Sequence, residues 1–585
     1  MASLSWLPSS FGVSAAMWVV KVSDFLAFDM VYCHEELLSK NLVVRRQEGF
    51  FCIFVSHQWL GIRHPDPERQ QLQVLQAALR FLMAGGEVGL DIRDTVFTSR
   101  HCFSEQRARL KEAYIWMDWF SIPQRDLGAI LADPDEQEKV KTSQWTAHAL
   151  PSFGQEDFIQ KIPDFVEMSD LFVVVAPRCT HSVTKARCGF GTWSQRGWCR
   201  LELWCKMMSA HTRTPAVVIS DVDKTQFLVP LWWTDQPPHE GNFTHESDRA
   251  PVVQVMKDLL LTKIQSLKSS QNLDVYRYYV ARFDTLLGQT PRQRTLEGFL
   301  QDFEFKSLDC AKNSRGISAI ACATLAGDAN MISLLCDAGM DVNRRSCAIP
   351  EVYIHEKVAP VMLAAALGWR QDDVITTLVE RKADMKAATA SGHPLLGWCK
   401  SAKTVDFLIW HRADVNQQSG LAGFPPLTVA CFLAAPTPVI RTLLKHGAAA
   451  NPRPGRVGCI HPLASVAYRA TMSTNSLEVA AMLLDARADV NIQYHSSGIL
   501  RAAELISRAA RACGQSSPGM QIVSEWSTTP VGFACFFGCP ELVEMLLEAR
   551  ADLDIPNERK NTPLHLARSR SVQDLIHHHQ NTFSI

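Results

Sequence analysis

No stretch of this 585-residue chain reaches the ~18 consecutive apolar residues that a bilayer-spanning helix requires, so the sequence predicts no transmembrane helix. Val13 to Val20 is apolar, but no basic region precedes it and no small-residue cleavage site follows, which argues against a signal peptide. An excess of either charge is also missing. The 59 Lys and Arg face 60 Asp and Glu for a net charge of −1, which leaves no global field to draw in nucleic acid or an anionic membrane. Paired CxxC units are absent. The 17 cysteines are scattered, several inside apolar runs (Cys52, Cys322, Cys431, Cys535), and read as buried thiols in a reducing, cytoplasmic setting rather than as disulfides or zinc ligands. His577 to His579 lack the spacing of a metal site, and no metal ligand is assigned.

What the chain does have is length and an ordinary globular composition. It is 47% apolar and 20% charged, so most of it should fold, and 585 residues exceed any single core. An N-terminal extension over 1–49, with one helix around Phe25 to Leu38, carries no chemistry. Then come continuous apolar runs of strand length: Phe50 to Val55, Tyr114 to Met117, Leu171 to Ala176 and Ala216 to Ser220. Such runs suit strands buried on both faces of a parallel sheet, and the helical spacing of Glu68 to Met83 and of about Glu156 to Met168 alternates with them. The pattern predicts an α/β doubly wound parallel sheet. Ligands of such sheets gather beyond the carboxyl ends of the strands, which makes Ser56, His57, Trp59 and Asp118 site candidates by position. A strand-end Ser and His can equally cap the following turn.

One further candidate stands on the segment Gln195 to Met208, a loop feeding a short, nearly all-apolar helix that holds a single acid, Glu202. Trp198 sits one turn upstream on the same stripe. A carboxylate on such a helix either lines a cleft or pairs with Lys206, four residues on.

Four stretches taken together, FCIFVSHQW, YIWMD, IPDFVEMSDLFVVVAP and RGWCRLEL, resemble the Toll/interleukin-receptor (TIR) domain order over about residues 50–228. The last is the most specific, with Trp198-Cys199-Arg200-Leu201-Glu202-Leu203 matching a W-C-x-x-E-L motif position for position. In enzymatic TIR domains the Glu of that motif cleaves the nicotinamide–ribose bond of NAD, so the resemblance implies a catalytic Glu202, NAD as substrate, and Ser56, His57, Trp59, Asp118 and Trp198 around it. The SHQW block and the W-x-D-x-x-S-I-P-Q block are similar to those of heterokaryon-incompatibility-like domains, a distant TIR-like group.

Residues 229–312 read as a helical spacer, with a surface loop at Trp232 to Gly241 and helical spacing at Val252 to Leu267 and Val275 to Leu287. From 313 to the end a unit recurs: an apolar short helix, a turn, a second helix, and a turn of the Asp-Val-Asn type, as at Asp341-Val342-Asn343, Asp414-Val415-Asn416 and Asp489-Val490-Asn491. The final copy, Thr562-Pro563-Leu564-His565-Leu566-Ala567, is nearly the ankyrin T-P-L-H-x-A motif, with Leu564 expected in its core. The region resembles six or seven ankyrin repeats with insertions near 344–357 and 494–526, hence an all-α solenoid.

Two function classes follow. The first is an intracellular interaction and signalling protein whose ankyrin repeats bind a protein partner on their concave face while the TIR-like domain self-associates. The second is a TIR-type NAD hydrolase acting through Glu202 and regulated by the repeats.

Overall fold

The computed structural model describes residues 16–86, 88, 103–124, 160–209, 216–222, 224–228, 233–352, 354, 357–368, 372–420, 423–454, 460–470, 475–513 and 518–583. The first residues of the helix expected from about Glu156, and Trp232, lie outside them. Contacts divide the chain into one unit of residues 1–229 with 238–259 and a second of 230–237 with 260–585.

The first unit is built on a seven-stranded sheet in the order β2-β1-β4-β3-β5-β8-β9. Its strands are β1 (Trp18–Lys21), β2 (Val43–Arg45), β3 (Cys52–His57), β4 (Tyr114–Met117), β5 (Leu171–Val175), β8 (Ala216–Ile219) and β9 (Thr225–Phe227), with β6 (Cys179–Thr180) and β7 (Arg187–Cys188) forming a separate hairpin. All four apolar runs are strands, and β4-β3-β5-β8 are parallel neighbours. The remaining strands pair antiparallel, so the sheet is mixed. Its first strand lies inside the expected extension: Val20 pairs with Ile115. The helix expected from Phe25 to Leu38 is instead two short ones, α1 (Val22–Phe25) and a turn of helix at His34–Ser39.

Alternation along β3 sends Phe54 to one face and Val55 to the other. Phe54 stacks between Trp116 of β4 and Phe172 of β5, with ring centroids 4.2 and 5.4 Å away, and Trp116 meets Phe165 of α3 (Ile162–Glu167) at 5.7 Å. That aromatic row buries the face that α3 and α5 (Gly197–Met208) cover. The opposite face carries α2 (Gln70–Met83), whose Leu72, Leu75, Leu79 and Leu82 are buried; Gln76 anchors it by donating to the carbonyls of Phe25 and Phe28.

In the second unit the helix α6 (Leu273–Leu286) packs on the first repeat helix, and the expected surface loop is partly buried. Trp233 is buried, and Thr234 Oγ1 meets the Tyr278 hydroxyl at 2.8 Å. Seven helix pairs follow: α7/α8 (Ala319–Ala326, Ala329–Asp337), α9/α10 (Pro360–Leu367, Asp372–Glu380), a 3-10 turn with α11 (Leu395–Trp398, Ala402–Trp410), α12/α13 (Pro426–Phe432, Thr437–Lys445), α14/α15 (Pro462–Arg469, Ser476–Asp485), α18/α19 (Pro530–Phe537, Pro540–Glu548) and α20/α21 (Pro563–Leu566, Arg570–Phe583). Pro opens five of the first helices, where the missing N–H would have had no partner anyway. The longer insertion forms α16 (Gly498–Ala512) and α17 (Pro518–Ser524), and α14 packs directly on α18, so the insertion stands outside the row of first helices.

The Asp-Val-Asn turns explain themselves in hydrogen bonds. Within a turn the Asp carboxylate accepts from the backbone N–H two residues on, as Asp414 does from Asn416 at 2.9 Å. Between turns each Asn amide donates to one carbonyl of the next repeat and accepts from the N–H two residues later. Asn343 takes Lys382 and Asp384, Asn416 takes Gly447 and Ala449, Asn451 takes Arg487 and Asp489, and Asn491 takes Arg550 and Asp552. An amide side chain offers a donor and an acceptor side by side on one planar group, which serves both bonds. Where Lys386 replaces Asn, Gln417 of the following turn donates back to the Lys386 carbonyl. In the last repeat Leu566 is the buried leucine, while Leu564, expected in the core, is half-buried.

Candidate functional site

Strand β3 leads through α2 to β4 on one side, whereas β5 leads through α5 to β8 on the other, so the connections diverge at the carboxyl ends of β3 and β5. Ser56 pairs with Val174 and His57 with Val175 at that divergence, the point where a crevice forms in such sheets. The candidate residues therefore do gather at one rim. They do not form one constellation.

Ser56 and His57 are consecutive strand residues, so their side chains leave β3 on opposite faces. On the α5 face, Ser56 Oγ donates to Glu202 Oε2 at 2.5 Å and accepts from Trp193 Nε1 at 3.0 Å, with Trp193 on α4 (Phe190–Trp193). Glu202 is 8% exposed. Burial pushes its carboxyl up to about 8, helped by the nearby Asp118 charge and opposed by the Ser56 hydrogen bond and His57. At neutral pH the group is protonated.

On the α2 face, His57 Nε2 and Asp118 Oδ1 are 2.8 Å apart, and His57 Nδ1 lies 2.9 Å from Gln71 Oε1. Burial alone would depress this histidine; the Asp118 charge and the bonds to Asp118 and Gln71 outweigh it and raise it to about 9. Asp118 goes the other way. Burial would raise it, but His57, the Trp59 Nε1 donor at 2.8 Å and the Trp119 amide at 2.7 Å hold it below the usual carboxylate range. A charged pair results, with 31% of the Asp118 side chain open to solvent and Trp59 and Trp119 set edge to face beside it at 5.4 Å. The cavity beneath His57, lined also by Gln71, Leu72 and Met117, has room for about one water molecule and none for a nucleotide.

Two sequence expectations change. Lys206 is not the partner that Glu202 uses; Ser56 is. Lys206 is itself buried, which lowers its ammonium to about 8 against the attraction of Glu167. Trp198 turns away from Ser56: its indole N–H donates to Asp248 Oδ2 at 2.9 Å, and its ring meets Phe243 edge-on at 6.3 Å. The cause is the segment 238–248, which folds against the start of α5 so closely that a Cβ on Gly197 would lie 2.0 Å from the Phe243 ring. The tryptophan at the Ser56–Glu202 pair is Trp193, which spacing could not single out. Gln71 was also passed over, although a glutamine inside the leucine stripe of α2 is a visible signal of a buried polar partner.

The segment 178–197 ahead of α5 is structured. Hairpin β6-β7 folds over the exit of β3, where Leu60, Cys179 and Cys188 form a buried apolar cluster. Ser182 donates its amide to the Leu60 carbonyl at 2.7 Å, and Gln58 Nε2 donates to Cys188 Sγ at 3.2 Å.

Among the described residues no cluster of three metal-ligating side chains occurs, and no helix is long and apolar enough to cross a membrane. No family model and no curated protein matches the chain. Solved structures similar to part of it include the human ASB11 ankyrin repeat domain, at 19% identity and a TM-score of 0.32 over 44% of this chain and 96% of that one. The ankyrin repeat domain of Bcl-3, a member of the IkappaB protein family, is similar at 20% identity and a TM-score of 0.31, over 45% of this chain and 100% of that one.

Proposed function

We propose that this is a cytoplasmic interaction and signalling protein whose ankyrin-like repeats bind a protein partner, and whose TIR-like α/β unit serves assembly by self-association. The observation that carries the reading is the asparagine ladder. Four turns are tied to their successors by the same two hydrogen bonds, which fixes the row of turns before any partner arrives and lowers the ordering cost of binding. In a repeat stack that row borders the concave face, where we place the partner. Photo-crosslinkers introduced one at a time beside Asn416 and Asn451 in the full chain should trap the same protein, and an Asn416→Ala variant should trap less of it. Partners trapped only from positions in 16–228 would overturn the assignment.

The second reading is the NAD hydrolase, favoured by one observation: Ser56 and Glu202 are joined at the divergence of β3 and β5, where sheets of this kind bind nucleotides. A cation-stabilising carboxylate must be ionised and must reach its substrate. Glu202 is protonated at neutral pH and spends its surface on Ser56, so the interaction reading takes precedence.

A further inference from the structure

Fifteen free cysteines are described, and one pair among them faces each other across a ladder: Cys179 of β6 is directly opposite Cys188 of β7. Directly opposed residues share a face and carry Cβ atoms ~4.5–5.5 Å apart, about 1 Å more than a disulfide spans. Two-residue strands can supply that movement. Both thiols are buried, at 7% and 9% exposure, in one apolar cluster with Leu60.

We propose that Cys179 and Cys188 are a modification site, a dithiol that hydrogen peroxide converts to an intrachain disulfide across the β6-β7 hairpin. Burial raises the Cys188 thiol as well, but the Gln58 Nε2 donor 3.2 Å from its Sγ opposes that rise while no such donor serves Cys179, which makes Cys188 the attacking sulfur of the two. Its thiolate displaces water from the peroxide, with the thiol proton going to the departing oxygen, and becomes a sulfenic acid. Cys179 then attacks that sulfur and releases a second water. Two thiols and one peroxide give one disulfide and two waters, the two electrons passing from sulfur to oxygen. Burial drives the Cys179 thiol up to about 12, so the second step waits on opening of the hairpin and the site reacts slowly. The product staples the hairpin over the exit of β3. From Gln58 the hydrogen bonds continue to His57: the Gln58 carbonyl accepts from Gln71, whose Oε1 partners His57 Nδ1.

The test uses the reduced full chain, graded hydrogen peroxide, alkylation after denaturation, and tryptic mapping. The peptides Cys179–Lys185 and Cys188–Arg196 should appear linked, separate again with dithiothreitol, and do so while Cys322, Cys399 and Cys431 of the repeats still alkylate in full. Loss of both free thiols without loss of the helical signal is the expected shift. Cys188→Ser should abolish the linked species and leave Cys179 alkylated. If the buried repeat cysteines begin to be lost before any linked peptide forms, or Cys179 links elsewhere, the assignment is wrong.

Discussion

Replacing Glu202 by Gln should make the α/β unit more stable at neutral pH and remove most of its alkaline decline between pH 5 and 8. The carboxyl titrates near 8 in the fold against an ordinary value of 4.5. Because the folded state holds the proton more tightly than the unfolded one, stability is greatest below 4.5 and falls as pH rises towards 8. Each pH unit in that window removes about 1.4 kcal/mol, so by pH 7 the wild type has lost about 3 kcal/mol relative to acid conditions. Gln keeps the shape and the oxygen that accepts from Ser56, and its NH2 replaces the acid O–H. The variant should therefore gain about 2 kcal/mol or more at pH 7.5 and nothing at pH 4.5, allowing for some loss in the Ser56 hydrogen bond. Because the chain divides into two units, the readout is native-state hydrogen exchange at the amides of β3 and β5, which lie in this unit. Parallel stability curves for wild type and Glu202→Gln from pH 5 to 8 would show an ionised Glu202 in the fold and refute the reasoning.

The other expectations concern the second polar cluster and the repeats. Asp118→Asn removes the charge that holds His57 near 9. A histidine raised above its ordinary 6.5 stabilises fully below that pH and loses the contribution as pH climbs to 9, so the variant should lose about 3 kcal/mol at pH 6 and little at pH 9.5. The His57 imidazole proton resonance should then titrate below 6.5; an unchanged midpoint would remove Asp118 as the cause. Asn416→Ala leaves the Gly447 carbonyl and Ala449 amide without their partner, costing about 1–3 kcal/mol and speeding exchange at 447–449 before 487–489. Leu566→Ala should cost about 2–5 kcal/mol and fray α20 and α21, while Leu564→Ala costs under half as much, as thermal melts would show by their order.

Continuous apolar runs announced β3, β4, β5 and β8 because each is buried on both faces, and the Asp-Val-Asn turns announced the repeats because their chemistry is local. Strands β1, β2 and β9 gave no such signal: three or four residues each in the antiparallel outer parts of the sheet, with Lys21, Arg45 and Gln226 among them, carry no pattern long enough to read. Position at strand ends found Ser56, His57 and Asp118 but could not divide them, since the division comes from β3 having one helix layer on each side. Trp198 was placed by helical phase, which holds along α5. What phase cannot contain is the return of 238–248, which takes the Trp198 indole for Asp248 and leaves Trp193, 137 positions from Ser56 in sequence, to fill the site.

The central claim is that the Ser56–Glu202 contact is packing and that the chain acts by binding. Nicotinamide release from NAD, measured with the full chain both dilute and artificially clustered, addresses it directly, with Glu202→Gln beside the wild type. The account predicts no release above buffer from either protein and no shift of either melting temperature by NAD. Release by the clustered wild type that Glu202→Gln abolishes would contradict it and make Glu202 a catalytic residue.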